Sequence, residues 1–480
     1  MSLNKNDIFV CDITGATHDG YGVARVDGMA VFVPGAAVGD QAEIRIVKLL
    51  SNRAIGKLER LIVPSEDRIE NDCTAFPACG GCNYRHISYE AESALKAEQI
   101  RTTIEKLGGT ECTDFEYFPA PATSEYRNKA VFPVAKDRDG KTVFGFYRAN
   151  SHRLIPCAGC RIHPPVFTAA AEAVCRYMDD NGVEPYDEET RTGIVRSVFV
   201  RQGAVSGEIM VCVNAAKRRL KNSDVLVMYL KAVCPKLTSV MLSWEPDVTN
   251  RVMGERVFLL WGKPVITDTL AGNVLTLSAH SFYQVNHAQC ERLYARIVEE
   301  VASCGDTETM NVLDLFCGAG SITLALARRC KNAVGIESVP DAVENAKENA
   351  ARNGLEHVRF VCADAAGAPE ILGEMGFQPD IIVVDPPRKG LSEAVTAYLD
   401  RSGVKNVVYV SCDPATLARD IGRLRSAGFR LQRTAGFDLF PRTANVECVC
   451  LLSKKDVKHN DYVKIGIDAE DYYRIKGAHT

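Results

Sequence analysis

The chain has 480 residues, which is long enough for two or three domains with separate cores, since one domain typically takes about 100 to 200 residues. Its 46% apolar and 25% charged residues are ordinary for a globular protein, and its net charge of −4 argues against bulk electrostatic affinity for nucleic acid. It shows neither a secretory signal nor an apolar run of about eighteen residues, which excludes a membrane span, and we expect a cytoplasmic protein that acts as a monomer.

Residues 1–62 predict a small β domain. Short strand patterns separated by turn signals are expected at Ile8 to Ile13, Gly22 to Arg25, Ala30 to Val33 and Ala42 to Val47. Several short strands in so few residues indicate a closed barrel. The segment GYGVARVDGMAVFVPGAAVGD resembles the RNA-binding TRAM domain, which implies an oligonucleotide-binding-type barrel that docks RNA.

Residues 63–274 predict a central α+β domain whose strand order does not follow from the pattern. A cysteine cluster comes first, followed by a helix expected from Tyr89 to Leu107 that could pack on the catalytic domain. From Ala120 to Arg161, eight Lys or Arg stand against three Asp or Glu, a local excess of 8 − 3 = 5 positive charges. Aromatic and basic residues alternate there in Tyr126 to Lys129 and in Phe146 to Arg148, as base stacking with phosphate contact would require; buried strand aromatics are the alternative.

Residues 275–455 predict a Rossmann-like α/β domain. Apolar strands alternate with helical segments in NVLDLF, AVGIES, VRFVCAD, IIVVDPP and VVYVSCDP. This alternation is typical of a doubly wound, mostly parallel sheet that binds ligands at the carboxyl ends of its strands. A polar tail is expected at 456–480.

Three acids at strand ends indicate a nucleoside cofactor. Asp314 opens a glycine turn after the first strand, Glu337 ends the second strand where it could bind the ribose hydroxyls, and Asp364 follows the third near the expected adenine. An acid at the first turn would repel a pyrophosphate but suits the amino group of a methionine moiety. S-adenosylmethionine is therefore favoured over a nicotinamide dinucleotide, while acids that merely cap helices are the alternative.

The fourth and fifth strands end in the residues expected to react. Asp385 is held in a rigid Asp-Pro-Pro turn, and Cys412 follows the next strand, where a helix amino terminus is expected to lower its pKa. Because carbon 5 of uracil is a poor nucleophile, thiolate addition at carbon 6 would activate it for methylation. Glu447, just before the last strand, is the carboxylate expected to remove the carbon 5 proton afterwards.

These motifs carry a family resemblance. The segments SFYQVN, DLFCGAG, IES, DPPRKGL, VYVSCDPATLARD and FPRTANVE, in this order, resemble the class I S-adenosylmethionine-dependent RNA (uracil-5-)-methyltransferase family. The resemblance implies Cys412 as nucleophile and Glu447 as base. It also implies cofactor contacts, which are expected from Gln284, Phe316, Glu337 and Asp385. Asn445 stands where the family commonly has His, which puts the positioning of Glu447 in question.

Five cysteines outside this domain indicate a metal centre. Cys73, Cys79 and Cys82 form C-x5-C-x2-C, and Cys157 and Cys160 form C-x2-C. A zinc site of Cys79, Cys82, Cys157 and Cys160 is compatible with this spacing, as is an iron-sulfur cluster. The family resemblance implies a [4Fe-4S] cluster on Cys73, Cys79, Cys82 and one of the later pair, with register favouring Cys160.

The expected substrate is an unpaired or flipped uridine in folded RNA, because a stacked base hides its carbon 5 to carbon 6 bond. Barrel and cluster together resemble the enzymes that act on 23S ribosomal RNA. A transfer RNA T-loop uridine is the first alternative. A non-enzymatic RNA-binding or assembly factor, which would not need Cys412 or Glu447, is the second.

Overall fold

The computed structural model describes residues 3–149, 151, 153–247 and 251–454. The expected polar tail at 456–480 lies outside the described residues. Along the described part of the chain, no helix is both long and apolar enough to cross a membrane.

The N-terminal region is a six-stranded sheet with the order β1-β5-β6-β4-β3-β2. All neighbouring strands are antiparallel except β4 and β6. Alternate residues of β5 are buried, as expected for strands with one face on a core. The strands are β1 (Ile8–Asp12), β2 (Gly15–Ala16), β3 (Gly22–Val26), β4 (Met29–Val33), β5 (Gln41–Leu49) and β6 (Arg53–Val63).

One helix and one strand follow the cysteine-rich segment. Helix α1 (Tyr89–Gly108) begins where the Ser88 side chain accepts a hydrogen bond from the Ala91 amide, and it ends at Gly109 with φ 61°. Strand β7 (Phe115–Phe118) comes next. The helix confirms the one expected from Tyr89 to Leu107.

The central region is built on a seven-stranded sheet with the order β10-β9-β8-β11-β12-β13-β14. Helices α2 and α3 pack together over one face of it. Its elements are β8 (Lys129–Lys136), β9 (Thr142–Tyr147), β10 (Leu154–Pro156), α2 (Pro165–Asn181), β11 (Val195–Gln202), β12 (Ile209–Ala215), α3 (Ser223–Val233), β13 (Leu237–Trp244) and β14 (Arg256–Gly262). The hairpin β15 (Ile266–Leu270) and β16 (Asn273–Leu277) leads to the last region.

The last region is an eight-stranded sheet with the order β19-β18-β17-β20-β21-β23-β22-β7. The five strands from β19 to β21 are parallel, as expected, and β23 runs antiparallel to β21. Its elements are α4 (His287–Ala302), β17 (Asn311–Leu315), α5 (Ser321–Ala327), β18 (Asn332–Glu337), α6 (Pro340–Arg352), β19 (Val358–Cys362), α7 (Ala368–Met375), β20 (Ile381–Val384), α8 (Glu393–Arg401), β21 (Asn406–Ser411), α9 (Pro414–Ser426), β22 (Phe429–Phe437) and β23 (Glu447–Lys454).

Helix α1 and strand β7 join this sheet although they precede the central region in sequence. Strand β7 pairs in parallel with β22, and α1 packs along α9. Gly108 lies so close to α9 that an added Cβ would be 3.1 Å from the Ala418 carbonyl oxygen. The predicted central domain, 63–274, thus contributes helix α1 and the edge strand β7 to the neighbouring sheet. The domain boundaries stay predictions.

Candidate active site

Two strand ends bring Cys412 and Glu447 to the same edge of the sheet. Ser411, the last residue of β21, is paired with Cys448 of the antiparallel β23. The next residues outward from this pair are Cys412 and Glu447. Asp385 directly follows β20, on the other side of β21, and is near enough for its charge to act on both Cys412 and Glu447. The predicted nucleophile and base therefore lie together with Asp385 at the carboxyl edge of the parallel strands.

The turn around Cys412 does not lower the pKa of its thiol, so that part of the sequence prediction is wrong. Helix α9 begins after Cys412, but the Asp413 side chain accepts hydrogen bonds from the amides of Ala415 and Thr416 at 2.9 Å. The helix terminus is already capped by a carboxylate. Burial, followed by the charges of Glu447 and Asp385, raises the pKa of Cys412 to about 11.

Glu447 is buried at the start of β23, with 5% of its surface exposed. Burial raises its pKa well above the usual value, and Asp385 adds to this effect. A carboxylate so placed gains affinity for a proton, which suits a base that must take one from carbon. Asn445, which stands where the family commonly has His, donates its side-chain amide to the Thr443 hydroxyl at 3.4 Å.

The turn after β17 lies beside the end of β18, where cofactor contacts are expected. Phe316 has φ 68°, a left-handed conformation rare outside glycine, and Gly318 has φ 54° with open space where a Cβ would stand. The Gly318 amide donates to Glu337 Oε2 at 3.1 Å, and Val339 donates to Glu337 Oε1 at 2.9 Å. The strained turn thus faces the carboxylate expected to hold a ribose.

The remaining predicted cofactor residues differ in their environments. Asp314 is fully buried, and its Oδ1 has no hydrogen-bond partner among the described residues. Burial raises the pKa values of both Asp314 and Asp385 to about 7. Asp364 is exposed, and the main-chain carbonyl of Gln284 accepts a hydrogen bond from the side chain of Asn128, the residue just before β8. A buried carboxylate with one oxygen left without a partner among the described residues, an open glycine and two further acids fit a cofactor that carries positive charge.

The sequence prediction did not single out two exposed residues of the quoted motifs. Arg388 is exposed, and its positive charge lowers the pKa of both Cys412 and Glu447. Phe282, two residues before Gln284, presents an aromatic ring that is 71% exposed. Both lie inside the quoted motifs, so the motifs marked their positions without showing which way their side chains face.

The five cysteines converge on one cavity of about 270 Å³. It is lined by Cys73, Cys79, Cys82, Cys157 and Cys160. Hydrogen bonds with Cys157 lower the pKa of Cys73 and Cys160, and His163 Nδ1 lies 3.1 Å from Cys160 Sγ. Among the described residues, no three His, Cys, Asp or Glu side chains are grouped so as to hold a metal ion.

Part of the expected RNA-contacting stretch faces this cavity instead of solvent. Arg127, Lys129 and Phe146 are among its lining residues, whereas Tyr147 and Arg148 are exposed. Arg127 Nε is buried without a partner among the described residues. Burial and the charges of Arg201 and Arg127 lower the pKa of Lys129 to about 8. The basic side chains of Arg127 and Lys129 therefore lie beside the thiols.

Comparison with known proteins identifies the family. Residues 88–455 match the family model described as tRNA (uracil-5-)-methyltransferase, and residues 10–58 match that of the TRAM domain. The chain belongs to this family of RNA methyltransferases. The predicted family, its dependence on S-adenosylmethionine and the N-terminal TRAM domain are confirmed.

Relatives match along nearly the whole chain. An uncharacterized RNA methyltransferase of Halalkalibacterium halodurans is 37% identical over 457 residues, covering 95% of this chain and 98% of its own. One of Clostridium tetani is 32% identical over 453 residues, covering 94% and 98%. The fold is similar to that of Pyrococcus abyssi tRNA (uracil-54, C5)-methyltransferase in complex with S-adenosyl-L-homocysteine, with a TM-score of 0.73, 24% identity and coverage of 93% and 100%.

Proposed function

We propose that this protein methylates carbon 5 of a uridine in 23S ribosomal RNA, with Cys412 as covalent nucleophile and Glu447 as general base. The observation that carries the proposal is the meeting of these two side chains at the ends of β21 and β23, beside Asp385. A thiol and a carboxylate at one strand edge, next to a cleft for a cationic cofactor, are the groups that the reaction requires.

In the first step the Cys412 thiolate forms a bond to carbon 6 of the uracil. The electrons of the carbon 5 to carbon 6 double bond move toward the carbonyl oxygen at carbon 4, so carbon 5 becomes nucleophilic. The raised pKa of Cys412 means that the thiolate needs positive charge nearby. Arg388 supplies part of it, and the cofactor cleft lies beside the same edge.

When bound, S-adenosylmethionine supplies an electrophilic methyl group on a positively charged sulfur. The residues that would hold it are Gln284, Phe316, Glu337, Asp364 and Asp385. Asp314 lies in β17, just before the glycine turn. Carbon 5 of the uracil would take the methyl group as the sulfur–methyl bond breaks and S-adenosylhomocysteine leaves, and it would then carry both this methyl group and its original proton.

In the last step Glu447 removes the proton from carbon 5. The electrons of that bond restore the double bond and expel the Cys412 thiolate from carbon 6. The raised pKa of Glu447 favours this transfer, because a proton moves more readily to a carboxylate that is reluctant to ionise. Cys412 is then free for another turnover.

The uridine must leave its stack to reach this edge, and the exposed ring of Phe282 could stack on it there. The TRAM domain supports binding to folded RNA. Its combination with the five-cysteine cavity favours 23S ribosomal RNA, acted on by a monomer in the cytoplasm. A transfer RNA T-loop uridine is the second candidate, supported by the fold shared with the Pyrococcus abyssi enzyme.

We further propose that the cysteines lining the cavity hold a [4Fe-4S] cluster, with Cys73, Cys79, Cys82 and Cys160 as its ligands. Four thiolates are the usual ligands of such a cluster, and they carry negative charge. Arg127 and Lys129 beside the thiols would balance that charge, and the unpartnered Arg127 Nε favours an anionic occupant. The cluster would join the segment around residue 79 to the central sheet.

Methyl transfer tests the reaction. The protein is incubated with tritiated S-adenosylmethionine and, separately, with unmodified ribosomal and transfer RNA, comparing the wild type with Cys412→Ala and Glu447→Gln. Cys304→Ala is the matched control, since Cys304 has the same partial exposure but follows α4. We expect label in 23S RNA with the wild type and the control, none with Cys412→Ala, and a protein-RNA adduct with Glu447→Gln. Labelling of transfer RNA alone would show that transfer RNA, and not 23S ribosomal RNA, is the target. Labelling by Cys412→Ala would exclude the covalent route.

Anaerobic purification tests the metal. We expect a brown protein with about four irons, with iron lost in Cys160→Ala and kept in Cys157→Ala. A colourless protein with stoichiometric zinc would instead support the site of Cys79, Cys82, Cys157 and Cys160.

A further inference from the structure

Four buried charges join α1 to the loop that leads to Glu447. Lys96 Nζ lies 2.7 Å from Glu92 Oε1 and 2.9 Å from Asp438 Oδ1, and all three side chains are fully buried. Arg442 Nη1 lies 3.5 Å from Glu92 Oε2. Two cations balance two anions, so the group carries no net charge. Since removing one member of a buried ion pair is costly, the group fixes the distance between the helix and the loop.

Arg442 shows how firmly the loop 438–446 is held. Its φ of 70° lies in the left-handed region, which a residue with a side chain adopts only when its surroundings impose it. Its amide donates to Glu92 Oε1 at 2.7 Å, and its carbonyl accepts from the amides of Asn83 and Tyr84 at 2.8 and 3.1 Å. The conformation of this loop is thus imposed by α1 and by the residues just before it.

Asn83 and Tyr89 add hydrogen bonds from two separate segments. Asn83 Oδ1 accepts from the Ala444 amide at 3.1 Å, while Asn83 Nδ2 donates to the Asp19 carbonyl of the TRAM domain at 2.9 Å. The Tyr89 hydroxyl donates to Asp438 Oδ2 at 2.8 Å. Hydrogen bonds therefore hold the loop at its start, from Tyr89 to Asp438, and near its end, from Ala444 to Asn83.

The loop leads directly to the base and not to the nucleophile. It connects Phe437, the last residue of β22, to Glu447, the first residue of β23, and these two are paired. Cys412 follows a different strand, and the turn around it is closed by the caps that Ser411 and Asp413 provide. A small displacement of the loop would thus move Glu447 while leaving Cys412 in place.

We propose that the Glu92, Lys96, Asp438 and Arg442 group, with Asn83 and Tyr89, positions Glu447 for proton removal. The inference rests on the proposed function. These are positioning residues: they act through the loop, and they govern how fast the methylated adduct is released more than how fast it forms.

The test follows one turnover of the full-length protein with its RNA and S-adenosylmethionine. The denaturant-stable protein-RNA adduct and the methylated RNA are quantified against time. Asn83→Ala removes both side-chain hydrogen bonds, Asn83→Asp keeps the acceptor for Ala444, and Tyr89→Phe removes only the hydroxyl. Asn71→Ala is the matched control, because Asn71 also lies in the cysteine segment but, among the described residues, its side chain bonds to the Cys73 main chain and not to the loop.

We expect adduct formation within about twofold of wild type and release slowed about tenfold in Asn83→Ala and somewhat less in Tyr89→Phe, since small misplacement of a catalytic group has effects of this order. Asn83→Asp should recover most of the release rate, and Asn71→Ala should behave as wild type. Release at the wild-type rate in both Asn83→Ala and Tyr89→Phe would overturn the inference, as would an equal fall in formation and release. A wild-type protein that forms no adduct with any RNA would instead overturn the proposed function.

Discussion

The pKa of Cys412 gives a quantitative prediction. A rise from an ordinary value of 9.0 to about 11 leaves about a hundredfold less thiolate near neutral pH, because each pH unit is a factor of ten. Two neighbours act in opposite directions: the negative charge of Glu447 raises the pKa and the positive charge of Arg388 lowers it. Glu447→Gln should therefore move the titration of Cys412 to lower pH, and Arg388→Ala should move it to higher pH.

Alkylation by iodoacetamide measures this titration, since only the thiolate reacts at an appreciable rate. The rate at the Cys412 peptide is followed by mass spectrometry across pH, with the exposed Cys362 as an internal reference for reagent. Adding S-adenosylmethionine should speed the reaction at Cys412 more than adding S-adenosylhomocysteine, because the two differ by a positive charge. A free enzyme in which Cys412 titrates near pH 8 or below, with no response to Glu447→Gln, would refute these electrostatics.

Three further variants test other parts of the structure. Lys96→Met leaves two buried carboxylates without their cation and should lower the free energy of unfolding by about 3 to 5 kcal/mol, measured with urea; a loss under about 1 kcal/mol would contradict the buried ion group. Glu337→Ala should weaken S-adenosylmethionine binding at least about tenfold by calorimetry, since charged hydrogen bonds contribute about 1.5 to 3 kcal/mol each; unchanged affinity would place the ribose elsewhere. Phe282→Ala should weaken RNA binding by about 1 to 3 kcal/mol without changing cofactor affinity, and a cofactor effect alone would contradict base stacking.

The two terminal sheets could be predicted because their patterns are local. Strand β20, Ile381–Val384, is buried on both faces and appears in the sequence as a continuous apolar run beside a Pro-Pro turn. Short strands between turn residues indicated a small N-terminal β domain in the same way, and the resemblance of one segment identified it as a TRAM domain. The central sheet could not be predicted, because β8 pairs with β11 across more than sixty residues and no local signal sets that register.

The features that the sequence did not reveal depend on contacts between distant segments. Glu92 and Lys96, four residues apart on a helix, have the spacing of an ordinary exposed ion pair, and only the fold buries them against Asp438. The pKa of Cys412 was predicted with the wrong sign, because its burial and the charges of Glu447 and Asp385 depend on the fold, and Asp413 already caps the helix terminus that was expected to lower it. The positions of residues at strand ends were predictable from the pattern. Their pKa values were not, because these depend on side chains from distant segments.

A covalent bond between Cys412 and carbon 6 of the target base is the central claim, and RNA containing 5-fluorouridine tests it most directly. Fluorine at carbon 5 cannot be removed by Glu447 as a proton can, so the adduct should persist after methyl transfer. We predict one nucleotide-bearing peptide, containing Cys412 and carrying both the fluorine and the transferred methyl group. An adduct on another cysteine, or complete methylation of normal RNA with no adduct on fluorinated RNA, would contradict the account.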